Sequence, residues 1–332
     1  MSTEHKKDED ALEELLIFAG RREVVEPDRA ERVERQVFNH WQENLRRQRQ
    51  AERRRRTIKF GGFLALAASL VLTINIVLRF QEIPTVATLV AVVGNIEVGF
   101  DDQPMMEIAT GSELRAGSIL ETSADAGASL LLTSGHSLRV AAASRVRFQT
   151  DTITLDEGSV YIDSGRTGEA SRLVVRTSFG TAREFGTQYL VSVLDDSFEI
   201  SVREGSVNVE RNNGTTLTAT AGEALHLDRE GSARRETILN YGDRWEWASR
   251  LGQPMQLEGR SLSEFFTWLS RENGWEVNYA TASLERSARR VELHGSIAGL
   301  DGEQALASVV ATAGWQFTLS NGVVAVSPPN TN

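Results

Sequence analysis

The sequence predicts a multi-domain membrane protein. It would have a short α-helical segment on the cytoplasmic side, one transmembrane helix, an all-β domain of twisted or solenoid-like form, and a small C-terminal α+β domain. Three observations carry this. Phe60 to Leu78 is a run of nineteen residues without a charge. From about Ala87 to Leu239, short apolar or alternating runs are punctuated by glycine, and one of them recurs forty-seven residues later. From Met255 onward the spacing becomes helical, in two helix-strand units offset by forty. The expected boundaries are 1–59, 60–78, 83–240, a linker at 241–254, and 255–328.

The first segment is charged and amphipathic. Leu12, Leu15, Leu16 and Ala19 share one face of a short helix that Gly20 ends. Asp28 and Glu31 mark a second helix start, after which Val33, Val37, Trp41 and Leu45 recur every fourth residue. Two such helices bury little area alone, so their apolar faces need either a protein partner or each other. Leu12, Leu15, Leu16, Val33, Val37 and Trp41 are the candidate partner-binding face.

The run FGGFLALAASLVLTINIVL, read as a helix, spans roughly 28 Å, close to the ~30 Å of a bilayer's hydrocarbon. Its apolar residues surround the helix, whereas a soluble core helix shows one stripe. Arg53, Arg54, Arg55 and Arg56 precede it, and only Arg79 follows closely. This asymmetry puts residues 1–59 in the cytoplasm and 79–332 outside. The arginine run reads as a topology signal that meets anionic lipid; nucleic-acid contact is the competing reading. The net charge of −10 gives no ground for direct nucleic-acid binding. There is no cysteine, and the five histidines show no ligand spacing, so neither a metal site nor a cofactor is expected.

Beyond Ile83-Pro84 the segments VATLVAVVGNIEV, ASLLLTSGHSLRVAAASRVRF, TITLDEGSVYID, SRLVVRT, TQYLVSVL, FEISVREGSVNVE and EALHLD read as strands. Ile153 to Ile162 aligns with Ile200 to Val209, and in each copy a Glu-Gly pair is expected to turn the chain between two strands. Trp245 and Trp247 mark the linker, as indoles packed between domains or as a ligand stack. In the last segment Met255 to Leu257 is a brief strand, and Ser261 with Glu264 forms a capping box. Leu262, Phe265, Phe266 and Leu269 make a helical face that Asn273-Gly274 ends. A second helix follows Asp301, and a hairpin turns at Asn321-Gly322. Phe266 matches Leu306, and Gly274-Trp275 matches Gly314-Trp315, so the domain is made of two similar βαβ-like halves.

The β region resembles the FecR family of transmembrane anti-sigma regulators. The likeness rests on Val174-Val175-Arg176-Thr177, Gly180, Phe185-Gly186-Thr187-Gln188-Tyr189, Val202-Arg203-Glu204-Gly205-Ser206-Val207 and Ala221-Gly222-Glu223. The C-terminal segment looks like the short N-terminal (STN) domain of secretins and TonB-dependent receptors. The resemblance implies a single-pass inner-membrane protein with its N-terminus cytoplasmic and its C-terminus periplasmic. It implies an extracytoplasmic-function sigma factor as cytoplasmic partner, and the signalling domain of a TonB-dependent receptor in iron uptake as periplasmic partner. It further implies self-cleavage in some members at a Gly-Thr bond, here Gly186–Thr187, with proteases then releasing the cytoplasmic piece. A threonine hydroxyl can attack the preceding carbonyl when a turn holds it there; a buried threonine in a tight turn is the other reading. Apart from that bond no catalytic order, metal spacing or phosphate loop is present, so turnover chemistry is not expected. An envelope adaptor or cell-wall-binding scaffold is the alternative function.

Overall fold

The computed structural model describes residues 83–101, 103–165, 173–195, 197–230 and 232–328. The first fifteen strands are β1 (Thr85–Val93), β2 (Ile96–Gly99), β3 (Met106–Glu107), β4 (Glu113–Arg115), β5 (Ile119–Thr122), β6 (Gly127–Leu132), β7 (Ser137–Val140), β8 (Arg145–Gln149), β9 (Thr152–Asp163), β10 (Val174–Thr177), β11 (Gly180–Leu194), β12 (Ser197–Arg211), β13 (Thr216–Thr220), β14 (Glu223–Asp228) and β15 (Ala233–Thr237). All belong to one hydrogen-bonded sheet.

Three long strands give this sheet its form. The second half of β9 pairs with β7 and β11, and the first half of β12 pairs with β11 and β14. These halves make one continuous layer, β4-β1-β6-β7-β9-β11-β12-β14-β15. The other halves make a second layer, β3-β2-β5-β8-β9-β10-β11-β12-β13, in which β9 and β10 run parallel. Leu89, Leu130, Ile162 and Val191 from the first layer and Phe148, Leu155, Val175 and Val209 from the second share one buried core. The strands alternate inward and outward, which is why Val160 and Ile162 enter that core while Tyr161 faces away from it.

The expected Glu-Gly turns are a correction. Glu157-Gly158 lies inside β9 and Glu204-Gly205 inside β12, so the chain passes straight from one layer to the other. Positive φ at Gly158 and Gly205, +89° and +80°, bends each strand there without ending it.

Four helices and five more strands follow: α1 (Asp243–Arg250), β16 (Arg260–Ser261), α2 (Leu262–Asn273), β17 (Glu276–Tyr279), α3 (Ala282–Ala288), β18 (Glu292–Leu293), α4 (Gly302–Thr312), β19 (Gln316–Ser320) and β20 (Val323–Ser327). The tryptophan-bearing stretch is the helix α1. Trp245 is buried and meets the Tyr161 ring edge-on at 6.3 Å, and its Nε1–H donates to the Leu239 carbonyl at 2.8 Å. Capping boxes start α2 at Ser261 and Glu264, and α4 at Asp301 and Gln304. Asn321 and Gly322, with φ of 49° and 73°, turn the β19-β20 hairpin, and β17 adds to β20 in parallel. Leu262, Phe265, Phe266, Leu269, Leu306 and Val310 form a second core of their own. The brief strand expected at Met255 to Leu257 is irregular chain; the strand falls at β16, and α3 lies between the two halves.

The fold class is corrected as a whole. The described residues are mostly β, and none of their helices is long and apolar enough to cross a membrane. The longest, α2, has twelve residues, about 18 Å, and is apolar on one face only. The expected cytoplasmic helices and the 60–78 span lie outside the described residues.

Candidate functional site

The Gly186–Thr187 bond sits where β11 changes layer. Residues 180–185 pair with 211–206 of β12, and 188–194 with 204–197, with the register slipping between Phe185 and Tyr189. Gly186 adopts φ +64°, which favours glycine, and the slip makes a bulge. The bulge points Phe185 outward, 56% exposed, and Thr187 fully inward, 0% exposed. Gly205 bends β12 directly against it. A Cβ on Gly205 would stand 2.7 Å from the Gly186 carbonyl oxygen and 3.0 Å from Thr187 Oγ1. Of the other motif glycines, Gly180 opens β11 and Gly222 lies between β13 and β14.

Thr187 is held on every polar atom. Its hydroxyl donates to the Ser206 carbonyl at 2.9 Å and accepts from the Phe185 N–H at 3.0 Å. Its N–H lies 2.7 Å from Ser164 Oγ and 3.0 Å from Glu184 Oε2. Its carbonyl accepts from the Ser164 hydroxyl at 3.1 Å. The Glu184 side chain is completely buried, and Oε1 lies 3.1 Å from His136 Nε2, itself buried. His136 Nδ1 in turn meets the hydroxyl of exposed Ser134 at 2.8 Å. A line of hydrogen bonds therefore runs from the surface to the Thr187 nitrogen.

Next to this bulge the C-terminal helix α2 docks. Arg271 pairs with both oxygens of Asp163, the residue before Ser164, and its Nη1 donates to Glu204 at 3.0 Å. Gln188, the residue after Thr187, donates from Nε2 to Asp163 Oδ2 at 2.8 Å and to the Arg271 carbonyl at 3.2 Å. Burial works to raise the Asp163 carboxyl, but the Arg271 guanidinium, with Gln188 and the Gly165 N–H, outweighs it and holds Asp163 below the usual carboxylate range. Burial likewise works against the Arg271 charge, and Asp163 more than offsets it, raising Arg271.

Arg139 and Arg203, both buried, complete the contact. Arg203 Nη1 donates to the Glu272 carbonyl at 3.0 Å, and Arg139 reaches the Glu272 carboxylate and the Ala248 carbonyl. These cations sit at the carbonyl ends of α2 and α1, where the helix dipole favours them. Arg203 also lies over the Trp245 ring at 4.5 Å and the Tyr161 ring at 5.7 Å. Burial pushes the Tyr161 phenol up to about 12 against the lowering pull of Arg203 and Arg139, and burial pushes Arg203 down.

The structure thus brings Gly186, Thr187 and Gly205 together, with Phe185 beside them on the outer face. It places Leu12, Leu15, Leu16, Val33, Val37, Trp41 and Arg53 to Arg56 outside the described residues. Sequence reasoning passed over Ser164, Glu184, His136, Asp163 and Arg271. Only Glu184 had a local signal, its place beside the Phe-Gly-Thr motif. Among the described residues no group of three or more His, Asp or Glu is arranged to hold a metal ion.

Comparison with known proteins gives one family. Residues 118–208 match the model described as FecR protein, a span that contains β5 to β11, most of β12, and the Gly186–Thr187 bond with His136, Ser164 and Glu184. No curated protein matches the chain. Two crystal structures of a candidate anti-sigma factor from Parabacteroides distasonis ATCC 8503 are similar at 15% identity. One covers 64% of this chain and 99% of its own, with a TM-score of 0.35. The other covers 63% and 97%, with a TM-score of 0.33.

Proposed function

The chain carries a FecR-family domain over residues 118–208, and from this we propose that it is an anti-sigma regulator with a sigma factor as its partner. In this reading, Leu12, Leu15, Leu16, Val33, Val37 and Trp41 engage an extracytoplasmic-function sigma factor. Residues 83–328 receive the signal, from the signalling domain of a TonB-dependent receptor, with 255–328 as an STN-like receiving module. The site of action is the cell inner membrane, as is typical of FecR proteins. The output is regulated proteolysis, beginning with self-cleavage at Gly186–Thr187 and continued by cellular proteases.

The FecR-domain match carries the anti-sigma reading, and the contact between α2 and the β11 bulge supports the relay to the Gly186–Thr187 bond. Arg271 and Gln188 tie the receiving module to the residues on either side of the Ser164–Thr187 hydrogen bonds. A partner that moves α2 would therefore disturb the residues that clasp the bond. A reporter driven by the cognate sigma-dependent promoter tests the reading. Expression of the chain lowers the reporter, and Leu15→Asp or Trp41→Asp relieves that repression. A reporter indifferent to the chain refutes the anti-sigma role. Purified protein that remains one band, in wild type and Thr187→Ala alike, removes self-cleavage from it.

A further inference from the structure

We propose that Glu184, backed by His136, is the group that moves the proton when the Gly186–Thr187 bond is cut; this rests on the self-cleavage reading above. A bare ionisable pair in a β core is costly, since neither partner keeps its water. Here the Glu184 side chain is 0% and His136 5% exposed, and hydrogen bonds link them to the nitrogen of that peptide. The Glu184 Oε2 to Thr187 N distance of 3.0 Å is within reach for proton transfer, which a general acid or base requires before its pKa matters. Ser134 then connects His136 to the surface.

The chemistry of an acyl shift needs such a group. Thr187 Oγ1 adds to the Gly186 carbonyl carbon, and its proton passes to the Glu184 carboxylate. The carbon–nitrogen bond breaks as Glu184 returns that proton to the Thr187 nitrogen, leaving an ester and a free amine. Water then adds to the ester, giving the Gly186 carboxylic acid and restoring the Thr187 hydroxyl. In the resting fold the hydroxyl donates to Ser206 and the N–H is shared by Ser164 and Glu184, so the hydroxyl must leave Ser206 to attack, while Glu184 already lies against the nitrogen it protonates. Ser164, which holds both the N–H and the carbonyl of Thr187, acts as a positioning residue.

The test follows the appearance of fragments 1–186 and 187–332 from purified full-length chain, with Thr187→Ala as the uncut reference. Glu184→Gln keeps the size and hydrogen-bonding capacity of the side chain but cannot take up the proton. The expected result is a loss of about 100-fold or more in rate, with the circular dichroism of the wild type. Hydroxylamine, which cleaves esters, leaves that slow rate unchanged because the ester no longer forms. Should Glu184→Gln not fold, His136→Gln reads the same relay one step further out. It slows cutting and changes the shape of the rate's pH profile. Cutting at the wild-type rate in Glu184→Gln, or an unaltered pH profile in a slowed His136→Gln, overturns the assignment while self-cleavage stands. A wild type that is never cut overturns both.

Discussion

Replacing Arg271 with alanine should loosen the C-terminal domain from the β layers. Arg271 is 16% and Asp163 10% exposed in their side chains, so the pair is nearly buried, and it is bidentate. Removing one member of a buried pair costs about 3–5 kcal/mol, because the other charge is left behind. Asp163 keeps its bonds from Gln188 and the Gly165 N–H, and the Glu204 contact is half exposed, so the lower end applies, about 3 kcal/mol. At ~2–4 °C per kcal/mol for a structure of this size, melting falls by roughly 6–12 °C. The pH dependence has a definite sign. The folded Asp163 value lies below its unfolded one, so its contribution is present above about pH 4 and is lost as pH falls through the lower, folded-state value. The Arg271→Ala chain should lack that part of the acid limb. Calorimetry of both full-length chains between pH 3 and 7 measures it, with the exposed Arg289→Ala as control. Equal melting temperatures, or an unchanged acid limb, would refute the argument.

Trp245→Ala empties a fully buried site beside Tyr161 and Arg203, and should cost about 3–5 kcal/mol in urea denaturation, with a weaker near-ultraviolet tryptophan signal. Gly205→Ala forces a side chain into φ +80° against the Gly186 carbonyl and should lower stability by about 1–3 kcal/mol, read as a shifted urea midpoint at unchanged slope. The Tyr161 phenol should ionise near pH 12 in an alkaline absorbance titration, and Tyr161→Phe should delete that step. Because folding holds this proton to higher pH, its contribution is intact below about pH 10 and declines from there through the folded value.

How much of this was legible in the sequence depended on how local each signal was. The Asn321-Gly322 hairpin and the Ser261 capping box were legible, because four neighbouring residues carry their chemistry. The bends in β9 and β12 were not. A glycine at positive φ looks the same in sequence whether it ends a strand or tilts it, and only pairing with both layers tells them apart. Helices α1 and α3, of eight and seven residues, are too short for periodicity to separate them from loop. In the site, the motif exposed Gly186 and Thr187. His136 and Glu184 stand forty-eight positions apart and meet only through the register of the sheet. Arg271 and Asp163 stand 108 apart, one on α2 and the other at the end of β9.

An anti-sigma regulator holds its sigma factor until the signal arrives. Purifying the full-length protein from its own cells by an affinity tag, and weighing what comes with it, tests this most directly. A single sigma factor should come with it in equal amount, and should be lost in Trp41→Asp. Wild-type protein recovered in quantity from growing cells with no sigma factor bound would contradict it.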